Sequence, residues 1–97
     1  MSALTDAALP LLKIRLNRKS TDTLLDDLLS PLLSATEAEL TRKGIVLQVD
    51  TDDTMLLVDY AHWRYKSRDE PGGMPQWLSL RIRERWLSSK GRDADDD

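Results

Sequence analysis

Leu24-Leu25-Asp26-Asp27-Leu28-Leu29-Ser30-Pro31-Leu32-Leu33 carries an apolar pair every four residues. That period is helical; a half-buried strand would alternate every second residue. Ala35, Ala38 and Leu40 prolong the apolar side, and Arg42-Lys43-Gly44 supplies a basic last turn followed by a glycine stop. Upstream, Thr21-Asp22-Thr23 offers cap oxygens, and Asp22, Asp26 and Asp27 suit the positive end of the helix. Pro31 removes one backbone bond and crowds the carbonyl of Asp27. The apolar pairs keep their phase across it, so one kinked helix is expected over residues 22–43.

Three further helices are expected around this one. Pro10 suits a first helical position, with Leu12 and Leu16 on one side, giving a short helix over 10–17, preceded by Leu4, Ala7, Ala8 and Leu9 as either a helical turn of their own or an extended arm. Asn17 to Ser20 form a polar break. Asp50 or Thr51 caps a third helix over 51–68, whose first two turns are apolar almost all round, the mark of a helix with neighbours on several sides. Asp69-Glu70-Pro71-Gly72-Gly73 breaks it. Pro75 starts a fourth helix over 75–89. There Leu78, Ile82 and Trp86 lie four apart, and Trp77, Arg81 and Arg85 lie four apart on an adjacent stripe. Between the second and third helices, Ile45-Val46-Leu47-Gln48-Val49 favours extended backbone. No second clear strand exists to pair with it, so it reads as a short connector. The fold class is all-α: a small bundle of about four helices, with a kinked long second helix and a short extended connector.

The chain has 97 residues, enough for one domain with a thin core. It has no cysteine and one histidine, His62, which excludes disulfides, thiolate nucleophiles and Cys- or His-rich metal sites within one chain. No apolar run approaches the roughly 20 residues of a bilayer span. The first residues lack the positive charge of a secretory signal, so a soluble intracellular domain is expected. The net charge of −3 lies in residues 91–97, which hold one arginine and four aspartates. Residues 1–90 are neutral and form the expected helical domain; residues 91–97 are expected to be a disordered acidic tail.

No constellation reads as catalytic. Asp59 and His62 are three apart on a helix, but no serine or cysteine nucleophile stands at a telling spacing, and a local hydrogen bond accounts for the pair. Asp26/Asp27 and Asp52/Asp53 fall in helix first turns, where capping explains them. They do not match a calcium-binding loop. Gly72-Gly73 is too short to cradle a phosphate. Arg81, Arg83 and Arg85 offer charges for phosphate, yet the neutral body argues against a dedicated nucleic-acid binder. Trp63, Trp77 and Trp86 serve as core fillers in a chain without phenylalanine, or as interface anchors. Trp77, beside Arg81 and Arg85, is the best partner-facing candidate.

The stretch from Leu56 to Arg68, a short loop, then Met74-Pro75 and Leu78…Leu80-Arg81-Ile82-Arg83 resembles the small head–tail connector (adaptor) proteins of tailed bacteriophages. The short basic helix, the leucine-rich helix and the Gly44-Ile45 exit upstream are similar too, so the resemblance covers roughly residues 10–90. The aspartate tail lies outside it. The resemblance implies a structural virion subunit without enzymatic activity or cofactor. Such subunits form a ring, typically of twelve, docked on the portal protein. The ring extends the DNA channel and receives the next neck or tail-completion protein. The location implied is the head–tail junction of the virion, after assembly in the host cytoplasm. No membrane partner is implied, and DNA is present only as channel contents.

The candidate partner interface consists of Trp77, Arg81 and Arg85 with Leu25, Leu29 and Leu33 of the second helix. The leucine stripe looks too broad for one small core, and part of it, or of the third helix, is expected to be shared with a neighbouring subunit. A small helical DNA-binding regulator using the arginine helix is the alternative. An enzyme using Asp59 and His62 is a third class.

Overall fold

The computed structural model describes residues 2–19, 23–67 and 73–95, with side chains through residue 89. Four helices follow in order: α1 (Ala3–Arg15), α2 (Asp26–Arg42), α3 (Thr51–Ser67) and α4 (Gln76–Asp95). No strand occurs among the described residues. The all-α bundle with an extended connector is the expected class. Helices α1, α2 and α3 pack on one another, whereas α4 packs on α3 alone among the helices.

Helix α1 starts well before the expected position. Ser2 is its N-cap: the Ser2 hydroxyl accepts the Thr5 N–H at 3.0 Å. That hydroxyl also donates to Glu37 of α2 at 2.6 Å, and the Thr5 hydroxyl donates to the same carboxylate at 2.8 Å. Pro10 is therefore inside the helix rather than at its first position. Its missing N–H leaves the carbonyl of Asp6, an exposed residue, without that helical bond. Leu4, Ala8 and Leu12, four apart and buried, carry the inward face across it.

Helix α1 ends with Asn17 at φ +62°. The Arg18 N–H bonds the Lys13 carbonyl at 2.8 Å, and the Asn17 N–H bonds that of Ile14 at 2.9 Å. Those two bonds satisfy carbonyls that a helix end would otherwise strand.

Helix α2 is one continuous helix with Pro31 inside it, as its phasing predicts. It begins at Asp26, later than expected, and no side chain caps it. Thr23 to Leu25 make a turn instead, in which the Asp26 N–H bonds the Thr23 carbonyl at 3.2 Å. Thr21 and Asp22 lie outside the described residues. At the other end Gly44 takes φ +94°, and the Ile45 N–H returns to the Leu40 carbonyl at 3.2 Å. Ile45 and Leu40 are both buried, which adds the hydrophobic contact typical of this stop.

Helix α3 is the central element. Asp50 caps it: Oδ1 accepts the Asp53 N–H at 2.8 Å, and the main-chain carbonyl accepts the Thr54 hydroxyl at 2.6 Å. Residues 56–61 are all buried, as expected for a helix with neighbours on several sides. Burial and a hydrogen bond to Glu39 push the Tyr60 hydroxyl up to about 12. Glu39 in turn pairs with Arg64 at 3.2 Å, which ties α2 to α3.

Arg68 and residues 69–72 of the expected breaker lie outside the described residues. Helix α4 continues through Asp95, past Gly91, where the sequence reading closes it. The expected disordered tail therefore begins as helical backbone, and its last two residues lie outside the described ones.

Candidate interaction surface

The fourth helix divides its residues by a simple rotation. Four residues advance a helix by about 400°, so each step of four turns a side chain some 40° beyond its predecessor. Over eight residues that drift reaches about 80°, which leaves Trp77 at the outer end of the stripe and Arg85 at the end that meets α3. Trp77 points outward and is 52% exposed. Arg81 lies at the edge, and Arg85 turns in against α3 with its side chain 15% exposed. Leu78 and Ile82 form the buried face, as their spacing predicts.

Arg85 is a structural fork rather than a partner-facing group. Its Nε and Nη2 bond the two carboxylate oxygens of Asp53 at 2.7 and 2.9 Å. Nη2 also reaches the Val46 carbonyl at 2.5 Å, and Nη1 donates to the Ser89 hydroxyl at 2.7 Å. That hydroxyl accepts the Val46 N–H at 3.0 Å. Asp53, 2% exposed, accepts the Gln48 N–H at 2.7 Å as well. The connector thus acquires from side chains the backbone partners that a second strand would have supplied. The hydrogen bond and charge of Asp53 raise the guanidinium affinity for its proton, against burial.

Arg81 is likewise engaged. Asp59 of α3, buried to 7%, receives Arg81 of α4 on one oxygen. On the other it receives Arg15 of α1 at 2.7 Å. One carboxylate therefore joins three helices, which corrects the reading of Asp59 as a local partner of His62. Burial pushes the His62 imidazole below its usual range, and Arg15 and Lys66 add to the effect while Asp59 opposes it.

The leucine stripe of α2 is corrected in the same way. Leu29 and Leu33 are completely buried in the core, and Leu25 is half-buried against it. The bundle of α1, α2 and α3 takes up Leu29 and Leu33, which are therefore not available to a neighbouring subunit. Leu24 and Leu28 are the members left outside, at 80% and 49% exposed.

Apolar side chains are exposed on other elements too. Leu80 and Leu87 of α4 lie on the outward side with Trp77, each about half exposed. Tryptophan and arginine do not point to them; the signal in the sequence is their position opposite Leu78 and Ile82 around the helix. On the far side of α3, a groove of about 350 Å³ runs between α1 and the start of α3, with Leu11, Val49 and Met55 in its wall. A more polar cleft of similar size lies between α3 and α4, lined by Asp52, Asp53, Arg81 and Arg85.

Among the described residues no group of three or more His, Cys, Asp or Glu side chains is placed to hold a metal ion. No helix among them is long and apolar enough to cross a membrane. Comparison of the chain with protein-family models, with curated proteins and with solved structures gives no match.

Proposed function

We propose that the chain is a structural assembly subunit, a head–tail connector of a tailed bacteriophage that joins a ring on the portal. The observation that carries this reading is the group of exposed apolar side chains Trp77, Leu80 and Leu87, with Glu84 among them, on a helix whose inward side is already satisfied. Apolar surface gathered on one face of a small subunit marks a contact with another protein. The chain resembles the connector family over most of its length, and an assembly role calls for such a face without catalytic groups. Two of the three arginines that a DNA-binding reading would use are bound to Asp53 and Asp59. That observation favours the protein-binding role.

Electron microscopy of the purified chain mixed with the portal protein encoded in the same gene cluster tests the proposal. The expected result is an added ring of density on one end of the portal. Bare portals at saturating chain concentration overturn it. Arg81 is unsuitable for the interface variant, because its removal would disturb Asp59. Trp77→Ala combined with Leu80→Ala is the appropriate pair, expected to lose ring density while keeping helix content.

A further inference from the structure

Helix α3 has neighbours on three sides and an open fourth side. Tyr60 and Arg64 meet Glu39 of α2. Thr51, Thr54 and Met55 line the groove against α1, and Asp52, Asp53 and Leu56 line the cleft against α4. The side turned away from α2 carries Asp59, His62 and Lys66, which fall within about 60° of one another at 100° per residue. The groove and the cleft therefore flank one face of α3, and that face is basic.

Cations reach it from three helices. Arg15, at the end of α1, gives Nη2 to one Asp59 oxygen at 2.7 Å, and Arg81 of α4 gives Nη1 to the other. A guanidinium has five N–H groups, so each arginine keeps donors after that contact. The two arginine side chains are 37% and 39% exposed, within reach of a ligand, whereas the Asp59 side chain beneath them is 8% exposed. Lys66 is exposed two turns along α3, and His62 is half-buried between. Burial lowers the proton affinity of His62, and Arg15 and Lys66 lower it further against the pull of Asp59. Three permanent cations thus share one carboxylate. On α2, Asp26, Glu37 and Glu39 are engaged elsewhere, with Lys13, with Ser2 and Thr5, and with Arg64. Asp52 and Glu84 line the α3/α4 cleft on the other side of Arg81, toward the start of α3.

We propose that this face binds a compact phosphate dianion or oligophosphate, held by Arg15, Arg81 and Lys66 with His62 beside them. Guanidinium groups donate paired bonds to phosphate, and lysine adds a point charge. A carboxylate ligand brings one charge and two oxygens in one plane, too little for cations that converge from three helices. A phosphate group brings close to two charges and three accepting oxygens that point in different directions. From Asp59 to Lys66 is seven residues, about 11 Å of helix, a length that suits one compact ligand rather than a long strand. The proposal concerns a ligand of the single chain and is independent of the connector reading.

His62 is the one histidine of the chain, so its imidazole gives a single, assignable NMR signal. The test follows that signal with pH in the full chain, in sodium chloride and in pyrophosphate at matched ionic strength. A bound anion offsets the repulsion from Arg15 and Lys66. The His62 midpoint is therefore expected to lie about 0.5 pH higher in pyrophosphate than in chloride, an increase of about threefold in proton affinity. Equal midpoints in the two salts overturn the proposal.

Two variants separate a site from a general charge effect. Lys66→Gln and Arg83→Gln remove the same charge at exposed positions, but Arg83 is turned about 160° from Arg81 around α4. Lys66→Gln is expected to weaken pyrophosphate binding by about fivefold or more, and Arg83→Gln by less than about twofold. Equal losses overturn the proposal. Arg15→Gln is expected to weaken binding further, with circular dichroism checking its helix content; should it unfold, the exposed Lys66 still decides. A short oligothymidylate that binds more tightly than pyrophosphate, with a steep salt dependence, overturns the compact ligand in favour of a nucleic-acid strand. Polyglutamate binding more tightly than pyrophosphate overturns it in favour of an acidic protein segment.

Discussion

At Asp53 one carboxylate joins the start of α3, the connector and α4. Its partner Arg85 is held by both oxygens, and a lysine offers no such planar fork. Arg85→Ala leaves a carboxylate that is 2% exposed with the Gln48 N–H but no counter-charge. Breaking a buried pair from one side costs about 3–5 kcal/mol, and urea unfolding of the variant is expected to show a loss of that order. Arg85→Lys should fall between the variant and the wild type. The sequence places Asp53 in a helix first turn, which is true, and says nothing of an arginine 32 residues onward. Pairings over that distance depend on how α4 lies on α3, and no local spacing records it. His62 offers a second residue-scale check. Below about pH 6.5 the unfolded chain takes up a proton that the folded chain resists, because burial and two nearby cations depress the imidazole. The His62 contribution to stability is therefore complete above that pH and is lost as pH falls toward the folded value. Unfolding measured between pH 5 and 8 is expected to show this acid-side decline, and His62→Gln is expected to flatten it.

At the scale of elements, the stop of α2 is legible in the sequence and the start of α1 is not. Arg42-Lys43-Gly44 announces the end of α2 in the sequence, and the end is where it belongs. Gly44 is required twice over: its φ of +94° suits no β-carbon, and an added one would stand 3.0 Å from Trp86 Nε1. Gly44→Ala is thus expected to lower stability by at least about 1–2 kcal/mol, the cost of a left-handed residue alone. Its denaturation midpoint should move while the slope with denaturant stays constant, since the unfolded chain is unaltered in exposure. The start of α1 was misread for a physical reason. Proline at a first turn is the commoner solution, and Pro10 has basic residues following it that fit such a helix. Yet Ser2 provides a cap, and the four-residue phase of Leu4, Ala8 and Leu12 runs through the proline. The tertiary bonds from Ser2 and Thr5 to Glu37 then reinforce the extra turns. The fourth helix shows the converse limit: Leu78 and Ile82 make its existence plain, but no local spacing records that Asp59 and Asp53 of α3 occupy Arg81 and Arg85.

At the scale of the whole molecule the bundle is uneven. Helices α1, α2 and α3 share the Leu4, Leu12, Leu29, Leu33 and Leu57 core. Helix α4 adds Leu78, Ile82 and Trp86 to its side and relies on Arg81 and Arg85 for much of its attachment. An element with few buried apolar neighbours opens at a lower free energy than the core it covers. Native-state hydrogen exchange is therefore expected to show α4 amides exchanging through an opening smaller than global unfolding, while central α2 and α3 amides require the full transition. The fork decides how small that opening is. Asp53→Asn keeps the size of the side chain but removes its charge and turns one accepting oxygen into an NH2 that faces a donor, so it weakens the tie to α4 without carving a cavity. Exchange across α4 should then accelerate several-fold more than exchange at Leu33 or Leu57. Equal acceleration in all helices would mean that α4 unfolds only with the rest of the molecule. The unequal result would identify α4 as the part of the subunit able to shift on its seat when its outward side finds a partner.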